Sequence, residues 1–226
     1  TWYSFIIDGK KVGAEHAHLQ RAGNQLTVTV EVMFDGGEKW GFNHMIETGV
    51  LDVSTPIPRV ITQVHEGPLW GFCSSGRWKD AKTWELAINA KNENDTPSHE
   101  VLTSTPTETL INDYSASYFA CLMPATAGAC FHTRTVMLSS AQPTAWSALL
   151  VIGEEDTVVG DQTVHALRIE QHSLRARGWV AWVKDGEVVK HDYSGSGKEG
   201  STVALRTTKE KALEGLDPKL VPRTAK

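Results

Sequence analysis

Two histidines separated by a single residue are the clearest chemical feature of this sequence. They are His16 and His18, and on a β-strand residues two apart project to the same side. Two imidazoles on one face can transfer protons or bind a metal ion. If a tight turn pairs Gln20 with Gln25, both histidines share their face with Glu31 of the next strand. His16, His18 and Glu31 are therefore the candidate catalytic residues.

The opposite face of this predicted hairpin is apolar, which supports the pairing. It gathers Ala17, Leu19, Leu26, Val28 and Val30, while Thr27 and Thr29 fall beside the histidines. A shift by one residue would mix the two faces. An antiparallel sheet commonly exposes one polar face to water, so a solvated face without chemistry is the plainer alternative.

A second polar face is predicted on a later strand. Arg168, Glu170 and His172 alternate with Leu167 and Ile169, so the three polar side chains share one side. They are candidate ligand-binding residues, and a surface ion pair is the alternative. If this face and the His16 face lined one concavity, they would form a polar cleft.

Aromatic residues supply the remaining candidates, because the chain has eight tryptophans and nine histidines. Trp40 and His44 are predicted to share a strand face, and Trp70 lies in a repeat of the same Trp-Gly-Phe tripeptide. Exposed aromatic rings can stack on sugars or peptide side chains. The alternative, which is the commoner case, is that these tryptophans are large buried residues of the core.

The elements that would position these residues are mostly β-strands. Regular alternation, as in Leu26–Phe34, and Asp-Gly turns at residues 8–9 and 185–186 are typical of antiparallel hairpins. Short helices are predicted near residues 112–123 and 207–215, the second opened by a capping box from Thr207 to Glu210. Residues 92–106 are predicted to be a loop. The predicted fold is all-β, a curved antiparallel sheet or open half-barrel with two short helices. It forms one domain over residues 3–215, followed by a mobile tail over residues 216–226.

Composition and motifs exclude several classes of function. The net charge of −5 argues against nucleic acid as a partner, and no apolar run approaches the length of a membrane span. We find no phosphate-binding glycine loop and no zinc-type cysteine spacing, so no cofactor and no bound metal are predicted. Cys121 and Cys130 could form a disulfide in an oxidising compartment. Three buried free thiols, with Cys73, are the alternative.

Two stretches resemble a known family. The opening WYSFIIDGKKVGAEHAHLQRAGNQLTVTVEV and the closing GWVAWVKDGEVVKHDYSG…STVALRTTKEKAL are similar to a β domain of exported bacterial proteins. That domain often precedes a transglutaminase-like catalytic domain. The resemblance implies a curved sheet and an extracytoplasmic location, periplasmic or secreted, and it does not imply catalysis.

The first functional hypothesis is an exported accessory or ligand-binding domain without its own catalysis. It would hold a peptide, glycan or lipid-like small molecule on its concave sheet face. The alternative is a hydrolase or lyase that uses His16 or His18 with Glu31 as an acid–base or metal-binding group. The chain begins at Thr1 and enters a strand almost at once, which would suit a mature exported form. The sequence predicts no oligomeric state.

Overall fold

A computed structural model describes residues 1–52, 58–67, 71–91, 97–104, 109–111, 118, 121, 126–136, 144–173, 177–194 and 201–223. Within these residues fifteen β-strands form one sheet. The strands are β1 (Trp2–Ile7), β2 (Lys10–Ala22), β3 (Gln25–Asp35), β4 (Phe42–Asp52), β5 (Pro58–Glu66), β6 (Gly71–Trp78), β7 (Trp84–Lys91), β8 (Pro97–Ser104), β9 (Thr109–Ile111), β10 (Cys130–Val136), β11 (Thr144–Val159), β12 (Gln162–Ser173), β13 (Arg177–Lys184), β14 (Glu187–Asp192) and β15 (Thr202–Thr207). Two short helices, α1 (Gly37–Trp40) and α2 (Lys209–Leu213), and a 3₁₀ turn (Pro218–Leu220) complete the described elements.

The sheet is almost entirely an antiparallel meander. Its order is β8-β7-β6-β5-β4-β3-β2-β1-β15-β14-β13-β12-β11-β10-β9, so β1 joins the two halves of the chain by pairing with β15. The β9–β10 ladder is parallel, and the other described ladders are antiparallel. The predicted fold class is confirmed, and the sheet stays open rather than closing into a barrel.

Asp-Gly pairs make two of the hairpin turns, as predicted. Asp8 and Gly9 have φ angles of 52° and 75°, and Asp185 and Gly186 have 54° and 75°. Positive φ at both central residues defines the turn whose twist matches that of paired strands. These turns therefore set the pairing of β1 with β2 and of β13 with β14.

The sheet curves so that one face packs on itself. Apolar side chains of β1–β4 join those of β11–β15 in a single buried cluster that includes Phe5, Val30, Leu149, Ile169 and Ala181. We call this concave side the inner face and the opposite side the outer face. Burial of these side chains is the main source of stability, at roughly 25 cal/mol per Å² of apolar area removed from water.

The curvature also brings β9, at one edge of the sheet, next to β5. In the described ladders β9 pairs with β10 alone, so β5 and β9 meet without a shared ladder. Strands β6–β8 continue beyond this seam and bury a smaller apolar cluster around Trp84. The inner space is thus bordered by strands from both halves of the chain.

Several sequence predictions differ from the structure. Trp40 lies in the one-turn helix α1 rather than in a strand, because Gly37 and Gly41, both with positive φ, bend the chain there. Strand β8 occupies most of the predicted loop over residues 92–106, and Pro97 is tolerated as the first residue of an edge strand. Helix α2 is capped by Thr208, whose Oγ1 accepts from the Lys211 N–H, and not by Thr207.

Part of the segment predicted to be a mobile tail contacts the sheet. The 3₁₀ turn at Pro218–Leu220 lies against β3, and Leu220 is buried. Of the helix predicted near residues 112–123, only Tyr118 and Cys121 are described, and Tyr118 has helical conformation. All three cysteines are free thiols, and Cys73 and Cys130 are exposed rather than buried.

Candidate functional site

The two histidines and Glu31 share the outer face, as predicted. His16 lies directly opposite Glu31, and His18 lies opposite Thr29. The observed register differs from the predicted one by two residues, because Gln25 pairs with Ala22 rather than with Gln20. An even shift keeps every side chain on its predicted face.

Glu31 is fully buried on this face, where part of the end of the chain packs over it. Its Oε1 atom lies 2.7 Å from His44 Nε2 and accepts a hydrogen bond of 2.8 Å from the backbone N–H of Arg223. The other ring nitrogen of His44 lies 3.0 Å from Glu66 Oε2, and the Arg223 guanidinium lies 3.8 Å from the same carboxylate. We call Glu31, His44, Glu66 and Arg223 the C-terminal clasp.

Hydrogen bonds link the members of the clasp and shift their pKa values. The hydrogen bond to Glu31 raises the pKa of His44, although burial acts in the opposite direction. The hydrogen bond with His44 lowers the pKa of Glu66. A His44 with carboxylates on both ring nitrogens donates from both when it is protonated. The geometry therefore gives Glu31 and His44 a role in fastening the end of the chain.

His16 is half-buried beside Trp2, whose ring stacks on it at a centroid distance of 4.4 Å. Burial is the largest cause that lowers the pKa of His16, to about 4. The imidazole is therefore neutral at pH 7. His18 is exposed, and its ring lies 6.4 Å from that of His16.

The second predicted polar face is also confirmed as a common face. His172 Nε2 lies 2.7 Å from Glu170, and Arg168 pairs with both Glu170 and Glu155. The indole N–H of Trp182 donates to Glu155 at 2.8 Å. This group lies on β11–β13 of the outer face.

The two predicted groups do not form one cleft. Strands β1, β15, β14 and β13 separate β2 from β12, a path of roughly 24 Å at the usual spacing of strands. Both groups lie on the outer face and not on the concave one. The side chain of Trp40, and Trp70 as a whole, lie outside the described residues.

The concave face carries a polar group that the sequence predictions missed. Among the described residues of β4–β6 and β10–β12, nine polar side chains of this face are buried, five on β4–β6 and four on β10–β12. They are Asn43, Glu47, Gln63, His65, Ser74, Thr133, Thr135, Ser147 and Gln171. We call this set the inner polar belt.

One side of the belt is a row across three strands. Glu47 lies opposite Gln63, and Gln63 lies opposite Ser74. In the adjacent row His65 Nε2 lies 3.0 Å from Asn43 Oδ1. Burial lowers the pKa of His65 to about 4, so this imidazole is neutral at pH 7.

The other side of the belt contains hydroxyl groups. Thr133 lies opposite Ser147, and each hydroxyl is buried with no hydrogen-bond partner among the described residues. Gln171 donates to Thr135 Oγ1 at 2.9 Å. Its side chain fits because residue 178 is glycine, where a Cβ would come within 2.2 Å of Gln171 Oε1.

A buried carboxylate lies further along the inner face. Glu15 accepts hydrogen bonds from Tyr118 and, at 2.8 Å, from Tyr193. Burial raises the pKa of Glu15 to about 7, despite the opposing effect of these two hydrogen bonds. His191, which packs against Tyr193, is neutral because burial lowers its pKa to about 3.

A sequence signal for these inner residues exists. Glu15 has the same strand parity as Ala17, and Glu47 has the same parity as Met45, so each charge falls on the apolar face of its strand. A charged residue at an apolar position of an alternating strand indicates a buried polar group. That local pattern does not show that β4–β6 and the distant strands β10–β12 lie on the same concave side of the sheet.

No family model, no curated protein and no solved structure matches this chain. The resemblance to the domain that precedes transglutaminase-like domains therefore stays a prediction. Within the described residues, no group of three His, Cys, Asp or Glu side chains is arranged to hold a metal ion. No helix in that part of the chain has the length and apolar character needed to cross a membrane.

Proposed function

We propose that this protein is a non-catalytic binding module that holds a neutral, hydroxyl-rich ligand, a saccharide, on its concave face. The observation that carries the proposal is the inner polar belt. Buried polar groups normally have hydrogen-bond partners, whereas the hydroxyls of Thr133 and Ser147 have none among the described residues. A ligand that bonded to them would remove the cost of their burial, about 1–3 kcal/mol each.

The chemistry of the belt favours a saccharide over the other ligand classes. Its members are amides, hydroxyls, one imidazole and one carboxylate, and no lysine or arginine is among the buried polar residues that the structure describes. Sugar hydroxyls both donate and accept, so they match amide and carboxylate groups together. A lipid tail would leave these polar groups without partners, and an anionic ligand would find no buried cation.

The seam between β5 and β9 is the proposed route by which a ligand reaches the belt. These strands lie side by side without a shared ladder, so separating them breaks no strand-to-strand hydrogen bonds in the described pairing. Gln63 lies on β5, next to this seam, and Thr133 lies on β10, beside β9. A ligand entering at the seam would therefore meet both sides of the belt.

The alternative, a hydrolase or lyase built on His16, His18 and Glu31, has less support. The Glu31 carboxylate is buried and is engaged by His44 and by the Arg223 backbone. A base with the lowered pKa of His16 would also be weak at pH 7. The exported bacterial location implied by the resemblance belongs to this proposal as well, and fractionation of the native host is its test.

The experiment is a calorimetric titration of the protein with a panel of neutral oligosaccharides. A tripeptide and a fatty acid serve as comparison ligands. We expect a saccharide to bind and Gln63→Ala to weaken binding about tenfold, which corresponds to about 1.4 kcal/mol. Gln20→Ala is the matched control, because Gln20 is exposed. Binding of the peptide or the fatty acid that Gln63→Ala weakens would contradict the proposal, as would equal saccharide binding by Gln63→Ala and Gln20→Ala.

A further inference from the structure

A groove of about 840 Å³ lies on the outer face, away from the inner polar belt. It runs between the hairpin that joins β11 to β12 and helix α2. Residues of β1, β14 and β15, including Trp2, Val189 and Thr207, also line it. Ligand pockets commonly have volumes of roughly 300–1,000 Å³, so this groove is large enough for a small molecule.

One wall of the groove is apolar. Val159 and Val164 come from the hairpin, and Val189 comes from β14. These three valines belong to an apolar cluster on the outer face that is centred on Val180 and Trp182. The groove therefore gives an aliphatic chain a surface that already continues into buried apolar side chains.

The other wall is cationic. Lys209 and Lys211 of α2 line it, and Lys209 Nζ lies 5.5 Å from the centre of the Trp2 ring. Lys11 fixes this wall in place, since its Nζ donates to the backbone oxygens of Lys211 and Glu214 at 2.6 and 2.8 Å. Helix α2 is thus tied to β2 with its lysines at the groove.

Acidic residues also line the groove, but their positions leave the lysine wall positive. Glu187 is paired with Arg206, and Asp161 lies at the end of the hairpin, opposite α2. Glu214 interacts electrostatically with the ammonium group of Lys11. A negative group is therefore best placed beside Lys209 and Lys211.

We propose that this groove binds a single-chain amphiphile with an anionic head group, such as a fatty carboxylate. The tail lies along Val159, Val164 and Val189, and the carboxylate lies beside Lys209 and Lys211. Apolar contact supplies most of the affinity, because burial of the tail removes apolar area from water. The lysines supply the preference for an anion over a neutral chain.

Decanoate is the probe, titrated into the full chain by calorimetry, with decanol as its neutral counterpart. We expect decanoate to bind more tightly than decanol, and less tightly at high ionic strength. The double variant Lys209→Gln/Lys211→Gln should weaken decanoate binding about five- to tenfold, since both lysines are exposed and water screens their charges. Lys79→Gln/Lys184→Gln is the control, because both lysines are exposed and neither lines the groove.

Two further variants test whether the ligand binds in the groove or on the inner face. Val164→Thr should weaken decanoate and decanol alike, because it acts on the tail. Thr133→Val on the inner face should leave decanoate binding unchanged. The inference is overturned if decanoate does not bind, if decanol binds as tightly, if the α2 variant and its control behave alike, or if Thr133→Val abolishes binding.

Discussion

Replacing Glu15 with glutamine should change how the free energy of unfolding depends on pH. In the folded chain burial raises the pKa of Glu15 to about 7, whereas the ordinary value is 4.5. The carboxyl therefore ionises in the unfolded chain at a lower pH than in the folded chain. Between these two values the unfolded state releases a proton that the folded state keeps, so stability falls as pH rises.

The size of this effect follows from the pKa. The rise from 4.5 to about 7 corresponds to about 3 kcal/mol, at 1.36 kcal/mol for each pH unit. Wild-type protein should lose this amount between about pH 4.5 and pH 7, with no further loss from Glu15 above that range. Glu15→Gln has no ionisable group, so its stability relative to wild type should improve by about 3 kcal/mol from pH 4 to pH 8.

Urea unfolding at several pH values measures this difference. Any packing cost of the substitution that does not depend on pH is the same at each pH, so it does not affect the change with pH. Glu38→Gln is the control, since Glu38 is exposed on α1 and should follow the wild-type pH dependence. Tyr193→Phe is a second test, because it removes a donor that stabilises the carboxylate and should enlarge the total loss and extend it to higher pH. Equal pH dependence in wild type and Glu15→Gln would refute the reasoning.

The remaining predictions concern the clasp and the sheet. Arg223→Pro should lower the free energy of unfolding by about 1–3 kcal/mol more than Arg223→Ala does. Only proline removes the backbone N–H that donates a hydrogen bond to Glu31. Urea unfolding of both variants measures the difference. A smaller difference would mean that the clasp does not hold the end of the chain. Gly76→Ala should lower the melting temperature, since its Cβ would come within 2.4 Å of the Trp84 ring, at a cost of about 1–3 kcal/mol. Ser75→Ala, on the exposed outer face, should leave the melting temperature unchanged, and equal melting temperatures for the two variants would contradict this packing.

Alternation in the sequence was sufficient to predict β3 and the faces of β2 and β3, but it did not predict β8. The faces were correct even though the register was displaced by two residues, because side-chain direction depends only on parity. The displacement came from the turn. The chain reverses tightly at Gly23, whose φ of 58° suits glycine, and so Ala22 pairs with Gln25.

The role of Glu31 could not be predicted from its own hairpin. Its partner His44 belongs to a third strand, and its other partner, Arg223, lies 192 residues after Glu31 in the chain. The sequence predictions treated residues after 215 as a tail, because a short polar segment carries no periodic pattern. Only the folded sheet shows that Leu220 is buried there.

The inner polar belt was missed for a related reason. Each strand contributes one or two polar residues at apolar positions, which is a weak signal in any single strand. The belt exists because the curved sheet brings β4–β6 and β10–β12 to the same concave side. Curvature is a property of the whole sheet and depends on packing between distant strands.

The central claim is that the belt exists to bind a ligand, and Thr133→Val tests it most directly. Valine has nearly the shape of threonine but lacks the hydroxyl that has no partner among the described residues. We expect this variant to be about 1 kcal/mol more stable without ligand and to bind the saccharide about tenfold more weakly. Thr135→Val is the matched control, and it should lose stability, because its hydroxyl accepts from Gln171. Unchanged saccharide affinity in Thr133→Val, or a loss of stability equal to that of Thr135→Val, would contradict the account.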